Sequence, residues 1–159
     1  MKKFLVFTLA VVAFWGCVKN NYGTNSCQSI PPSDEATEIT AFCYANGINF
    51  TKDTNGIFYQ IIDTGTGVTP TLSSTISVTY HATLLNGALV DSTLAGQVFT
   101  ANLSSLIPGW QIAIPYIKKG GHIKMVLPSA FSYGCYGTSD GHIAPNSVIY
   151  FDLNLVNVL

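Results

Sequence analysis

From Ile76 to Leu84 apolar and polar positions alternate without a break. Ile76, Val78, Tyr80, Ala82 and Leu84 fall on one side, and Ser77, Thr79, His81 and Thr83 on the other. A period of two predicts a strand with one face in the core and the other in water. Asn86-Gly87 follows where a two-residue type I′ hairpin wants two positive φ angles, so Ala88-Leu89-Val90 reads as the returning strand. Residues 57–62, Ile-Phe-Tyr-Gln-Ile-Ile, are strand-like and end in the turn cluster Asp63-Thr64-Gly65-Thr66-Gly67. Further pleated segments are expected near Val98–Leu103, Ile123–Leu127 and Ser147–Val158.

Helical spacing is confined to two short stretches. Ser33 is placed to cap a helix with Asp34 and Glu35 in its first turn, with Ala36, Ile39 and Cys43 on one stripe and Asn46-Gly47 as its stop. A second helix starts after Pro108-Gly109 and runs through Trp110-Gln111-Ile112-Ala113. It is kept short by Pro115, which lacks an N–H and disfavours helical geometry at Ile114. Many strands with one helix between them predict an α+β fold, an antiparallel sheet wrapped round a single helix and preceded by a short N-terminal helix.

Met1-Lys2-Lys3 precedes an apolar run from Phe4 to Trp15, too short to span a bilayer and suited to the core of a secretory signal over residues 1–16. Gly16-Cys17 at its end resembles a bacterial lipobox, which implies that Cys17 is lipidated and holds the chain to a membrane; Phe14 and Trp15 depart from the commoner residues of that pattern. Residues 17–32, rich in Asn, Ser, Gly and Pro, read as a flexible tether. Residues 33–56 form the first helix and its connector, and 57–159 the main domain. Export places the remaining cysteines in an oxidising compartment. Cys27 and Cys43 flank one short segment, so a disulfide between them is open, as is a free buried thiol for each of Cys27, Cys43 and Cys135.

Composition narrows the function. Of 159 residues 48% are apolar and 9% charged, with a formal charge of -1, which excludes a disordered chain and a nucleic-acid binder working through phosphate neutralisation. There is no C-x-x-C pair and no zincin helix, no phosphate-binding P-loop and no nucleophile elbow, so neither a metal nor covalent catalysis is expected. His81, His122 and His142 are read as non-catalytic.

Four motifs follow one another: V-T-Y-H-A-T-L-L-N-G-A-L-V-D-S-T from Val78, then L-I-P-G-W-Q-I-A-I, then L-P-S-A-F-S-Y-G, and finally H-I-A-P-N-S-V-I-Y-F-D-L-N-L. Their order resembles the FK506-binding peptidyl-prolyl isomerase family over residues 57–159. The resemblance implies a twisted antiparallel half-barrel round one short helix, with a pocket between helix and sheet. It places Trp110 at the pocket floor, with Tyr80, Val90, Phe99, Leu106, Ile107, Ile143 and Phe151 as walls. It makes Asp91 and Tyr133 polar contacts and lets the Ile107 N–H bond a substrate carbonyl. Val90 stands where the family usually has Phe, and Gln97–Ala101 fits the aromatic strand loosely.

Such residues suit prolyl isomerisation, in which an imide must twist against a barrier of about 18–20 kcal/mol and loses charge separation on the way. A dry aromatic hollow favours the less polar twisted state. No covalent bond is made, so no cofactor is implied. The expected partners are proline-containing unfolded or nascent exported polypeptides and, through Cys17, the membrane of a bacterial cell envelope. The alternatives are a non-catalytic chaperone or peptide-binding module of the same fold, and a receptor for small hydrophobic ligands. For each aromatic taken singly, core packing is the favoured role, and it is their order within the family motifs that turns the reading toward a pocket.

Overall fold

The computed structural model describes residues 27–159; the expected signal over 1–16, Cys17 and residues 18–26 of the expected tether lie outside the described residues. In chain order the elements are α1 (Pro32–Ala45), β1 (Thr51–Lys52), β2 (Phe58–Asp63), β3 (Thr75–Leu84), β4 (Leu89–Ser92), β5 (Phe99–Asn102), α2 (Pro108–Ala113), β6 (His122–Leu127) and β7 (Ile149–Val158). Short 3-10 turns flank α2 at Leu103–Ser105 and Ile114–Tyr116, and another follows β6 at Ser129–Phe131.

The strands form one antiparallel sheet in the order β1-β2-β6-β7-β3-β4. β3 is its spine. One edge of β3 pairs with β7 along its whole length, and the other is shared, with β5 on Thr75–Val78 and β4 on His81–Thr83. Alternation sends Ile76, Val78 and Ala82 of β3, Ile123, Met125 and Leu127 of β6, and Ile149, Phe151, Leu153 and Leu155 of β7 to one inner face. There they bury Trp110, Ala113, Ile114 and Ile117 of α2 and the turn after it. On the outer face α1 seats Ile39 and Cys43 against Phe58, Val126 and Val148. The α+β architecture, one short helix held by an antiparallel sheet and a second helix before it, is therefore the observed one.

Three local expectations are corrected. Ser33 does not cap α1: the helix begins one residue earlier, at Pro32, and the Ser33 hydroxyl bonds Asp34 Oδ1 at 3.1 Å. Pro31 is extended (φ -61°, ψ 139°), as a residue before proline must be, and proline in the first turn forfeits only a donor that would have no partner. The hairpin after β3 is not type I′, because Gly87 takes φ 85° while Asn86 stays out of the positive region. Leu84 O accepts from Gly87 N–H at 3.0 Å and Leu84 N–H donates to Ala88 O at 2.9 Å, the pattern of a three-residue loop closed by a glycine bulge. The register then slips, Ala82 facing Asp91 and Thr83 facing Leu89, so Val90 is the extra residue of a bulge.

The third correction concerns the cysteines. Cys27 is bonded to Cys135, 108 residues away, with Cα atoms 5.4 Å apart, and Cys43 is the free, buried one. Cys43 sits on the α1 stripe against the sheet, where burial pushes its thiol up to about 11. The tether expected over 17–32 thus has two fixed points in its described part, Cys27 in the disulfide and Pro32 in α1.

Candidate functional site

β3 presents Tyr80 on the inner face, next to α2. Trp110 is carried there by Pro108-Gly109-Trp110, where proline opens the helix and glycine lets it lie flat on β6: a Cβ on Gly109 would fall 2.5 Å from Leu127 Cδ1 and 2.9 Å from Phe131 O. Trp110 is 4% exposed. Rings stand edge-on around it, Tyr80 at 5.2 Å and 83°, Phe151 at 5.4 Å and 80°, Phe99 at 6.4 Å and 80°, the arrangement ring quadrupoles prefer. Its Nε1 is buried and has no partner among the described residues. Orphan polar atoms of that kind are rare enough in native structures to call for an explanation.

Between these rings lies an open hollow of about 160 Å³. Trp110, Tyr80, Phe99 and Phe151 line it from the aromatic side, and Leu106 and Ile107 from the segment entering α2. Val90 and Asp91 border it from β4, and Tyr133 from the connection between β6 and β7. Of the residues that the resemblance assigns to a pocket, Ile143 alone is elsewhere. It is buried in the core cluster, and its N–H bonds Thr138 Oγ1 at 2.9 Å while its carbonyl takes the Thr138 N–H at 2.9 Å. Ile143 therefore shapes the connection and does not line the hollow.

Sequence reasoning passed over Ala82, which also lines the hollow. It lies two positions from Tyr80 on the alternating row, so the strand period could have found it; its small side chain gave no reason to look. The bulge at Val90 was equally invisible. It leaves the Val90 carbonyl without a strand partner, and His142 Nε2 donates to that oxygen at 2.9 Å, tying β4 to the loop beyond Tyr133.

Polar groups gather at one side of the hollow. Tyr80 Oη donates to Asp91 Oδ2 at 2.5 Å, and Asp91 Oδ1 accepts from the Ser92 N–H at 2.8 Å. Burial first, then the bond and charge of Asp91, push the Tyr80 phenol well above its ordinary value, so it remains an O–H donor throughout the neutral range. Burial and the Asp91 charge push Tyr133 up as well. The Ile107 N–H, at the residue before α2, finds no acceptor among the described residues and is free to bond a ligand carbonyl. Among the described residues no group of three His, Cys, Asp or Glu side chains is placed to hold a metal ion. Nothing in the hollow pairs a nucleophile with a base. What the arrangement offers is an apolar, ring-walled recess with hydroxyl, carboxylate and amide groups at its rim, which suits holding a small apolar ring beside an amide.

Residues 67–156 match the family described as FKBP-type peptidyl-prolyl cis-trans isomerase. The FKBP-type peptidyl-prolyl cis-trans isomerase FkpA of Escherichia coli K12 is 38% identical over 104 residues, which cover 65% of this chain and 38% of that one. The peptidyl-prolyl cis-trans isomerase Mip of Coxiella burnetii is 37% identical over 105 residues, 65% of this chain and 45% of the relative. The chain thus spans about two fifths of the length of the curated relatives it matches. The crystal structure of FkpA from Escherichia coli superposes with a TM-score of 0.71 at 33% identity, over 80% of this chain and 59% of the other. A peptidyl-prolyl cis-trans isomerase from Pseudomonas syringae superposes at 0.66 and 25% identity, over 82% of this chain and 98% of that one. Motif order, sheet topology and these matches agree, and the chain belongs to the FKBP-type peptidyl-prolyl cis-trans isomerase family.

Proposed function

We propose that the protein catalyses cis–trans isomerisation of X–Pro bonds in exported polypeptides. The observation that carries this reading is the open hollow floored by the buried Trp110 indole and walled by Tyr80, Phe99 and Phe151. The prolyl ring enters it, and the Ile107 N–H takes a carbonyl of the bound peptide. The imide loses resonance as it twists, so the rotating state is less polar than either planar isomer and gains from leaving water. Tyr80, held by Asp91, and Tyr133 bound the polar side, where the displaced carbonyl swings. No proton changes hands, and the work is positioning and solvent exclusion.

The proposal extends to place. The apolar leader and the Gly16-Cys17 pair favour export and a lipid anchor at Cys17, and a Cys27–Cys135 disulfide suits an oxidising compartment. One similar protein, of Legionella longbeachae, is named outer membrane protein MIP. Mass spectrometry of detergent-extracted protein tests the acyl group directly.

Isomerisation of a proline peptide, followed with a coupled protease at low temperature, tests the activity. Acceleration that is lost in Trp110→Leu supports the reading. Absence of acceleration together with suppressed aggregation of an unfolded client turns it toward a binding module, a reading that the aliphatic wall at Val90 favours.

A further inference from the structure

Tyr133 reaches the hollow from the long connection between β6 and β7, residues 128–148. Connections longer than about 12–15 residues are uncommon in compact domains and tend either to be built into a site or to move. Its two arms are joined at the stem, where Ser132 Oγ bonds Ser147 O at 3.2 Å and the Asn146 N–H bonds Gly134 O at 2.8 Å, and again between Thr138 and Ile143, but none of these bonds involves Tyr133. Tyr133 is 38% exposed, and no protein group among the described residues accepts its hydroxyl proton. Its place at the rim is therefore set by its backbone.

Besides the His142–Val90 tie to β4, three contacts hold the connection, and all three come from one short N-terminal segment. Buried Glu35, in the first turn of α1, accepts the Ser129 N–H at 2.9 Å. Cys27 is joined covalently to Cys135. Between them the Gln28 carbonyl accepts from Asn146 Nδ2 at 3.3 Å, catching the returning side of the connection. The two ends of the segment grip the two ends of Ser129–Cys135, and Tyr133 lies inside that span. Cys43 offers no rival pairing, since it is buried against the outer face.

We infer that residues 27–35 are a positioning strap for Tyr133, with the Cys27–Cys135 disulfide and the Glu35–Ser129 contact fixing the two ends of the segment that carries the phenol to the hollow. A covalent tie removes loop conformations before substrate arrives, so less order is lost on binding. The strap acts on substrate affinity through Tyr133 and leaves the Trp110 floor untouched. Its functional consequence rests on the isomerase reading; its structural one rests on the contacts alone.

The test uses the full chain, oxidised, against the double variant C27S/C135S, Tyr133→Ala and all three substitutions together. Two readouts are taken: KM and kcat in a protease-free peptide assay, and amide exchange across residues 129–137. Cutting the disulfide should raise KM roughly fivefold with kcat within about twofold. Exchange in that segment should quicken by about tenfold or more. In the Tyr133→Ala background, removing the disulfide should raise KM no further, because the strap then has nothing to position. An equal KM increase in both backgrounds, or unchanged exchange, overturns the strap. If the double variant does not fold, the wild type reduced by dithiothreitol, with its far-UV circular dichroism intact, gives the same two readouts; the half-buried Cys27 and Cys135 are within reach of a small dithiol. Failure of the oxidised wild type to turn over any proline peptide defeats the isomerase reading instead, and exchange still decides the strap.

Discussion

On the outer face of the sheet Phe50 and Phe58 lie 4.9 Å apart and Phe42 and Tyr150 5.4 Å apart; on the inner face Trp110 lies 5.2 Å from Tyr80 and 5.4 Å from Phe151. Both faces carry packed rings, yet only the inner set borders the hollow described above. Outside, α1 lays Ile39 and Cys43, both 0% exposed, over the rings and closes the cluster. Inside, the positions beside the rings are Ala82 and Val90, too small to fill the space, and the Val90 bulge interrupts the strand that could have closed it. Interiors are normally packed without such gaps, and rings facing a gap forgo contacts on that side. Aromatic content therefore says little about function in this protein, and unfilled space beside it says a good deal.

The largest effects come from emptying each cluster. Phe58→Ala and Trp110→Ala should each cost about 3–5 kcal/mol of stability, measured by urea denaturation, because each removes a buried ring. They should part company in the isomerase assay. Folded Phe58→Ala should keep kcat/KM within about twofold, while the milder Trp110→Leu should lose about tenfold or more, a barrier change of about 1.4 kcal/mol. Equal losses at both sites would erase the distinction between an open cluster and a closed one.

Removal of the disulfide comes next. C27S/C135S should lower stability by about 2–5 kcal/mol, the range for loss of a native disulfide. The thermal melting point reads this on the oxidised and reduced wild type as well as on the variant. Cys43, on the closed face, should resist alkylation in the native state at pH 8, since burial holds its thiol up to about 11. Rapid labelling there would mean that the outer face opens as readily as the inner one.

Much of this arrangement was readable from the chain, for identifiable reasons. β3 alternates because one of its faces meets α2 while the other is polar and half-exposed as far as His81, with Thr83 the buried exception. Gly109 and Pro108 mark the start of α2 because close approach to Leu127 admits nothing larger. The Cys27–Cys135 bridge left no such mark: a pairing across 108 residues depends on where the β6–β7 connection lies in space. Ser33 was the natural cap by type, but Pro32 decides the helix start through its ring. Asn86-Gly87 is compatible with two loop geometries, and the choice between them moves the register and creates the bulge at Val90. The motif sets Ile143 on a pocket wall, but its place in the folded β6–β7 connection, bonded to Thr138, leaves it off the lining of the hollow.

Tyrosine–aspartate contacts sharpen the comparison at smaller scale, because the protein has them at more than one place. Tyr80–Asp91 lies at the hollow at 2.5 Å, whereas Tyr150–Asp152 lies on the outer face at 3.4 Å. Tyr80→Phe should lower kcat/KM roughly fivefold to tenfold, with a stability change near 1 kcal/mol. Tyr150→Phe should change neither by more than about 0.5 kcal/mol, since so long a contact is weak. A matching loss of activity in both variants would mean that the hollow owes nothing to its own Tyr–Asp pair.

The smallest expected effects are in pH dependence, where two carboxylates pull in opposite directions. Asp53, on the turn between β1 and β2, accepts the N–H groups of Asn55 at 2.9 Å and Ile57 at 2.8 Å and the Tyr116 hydroxyl at 3.0 Å. Burial works against its charge, but these donors outweigh it and hold the carboxyl below its ordinary 3.8. Glu35 is the reverse case: burial, with Glu38 and Asp34 nearby, raises it above 4.5 despite the Ser129 contact. Asp53 therefore adds stability that is present above its unfolded value and fades as pH drops below about 3.9. Glu35 holds its proton more tightly when folded, so its contribution is complete in acid and declines as pH rises through the window above 4.5. Asp53→Asn should flatten the acid limb of a stability–pH curve, and Glu35→Gln the limb above it, each by roughly 1 kcal/mol or less. Glutamine keeps an oxygen for the Ser129 N–H while removing the buried charge, so Glu35→Gln should equal or exceed the wild type in stability at pH 7. A marked loss there would mean that the charge itself secures the loop bearing Tyr133, and that the outer face steadies the inner one by electrostatics as well as by packing.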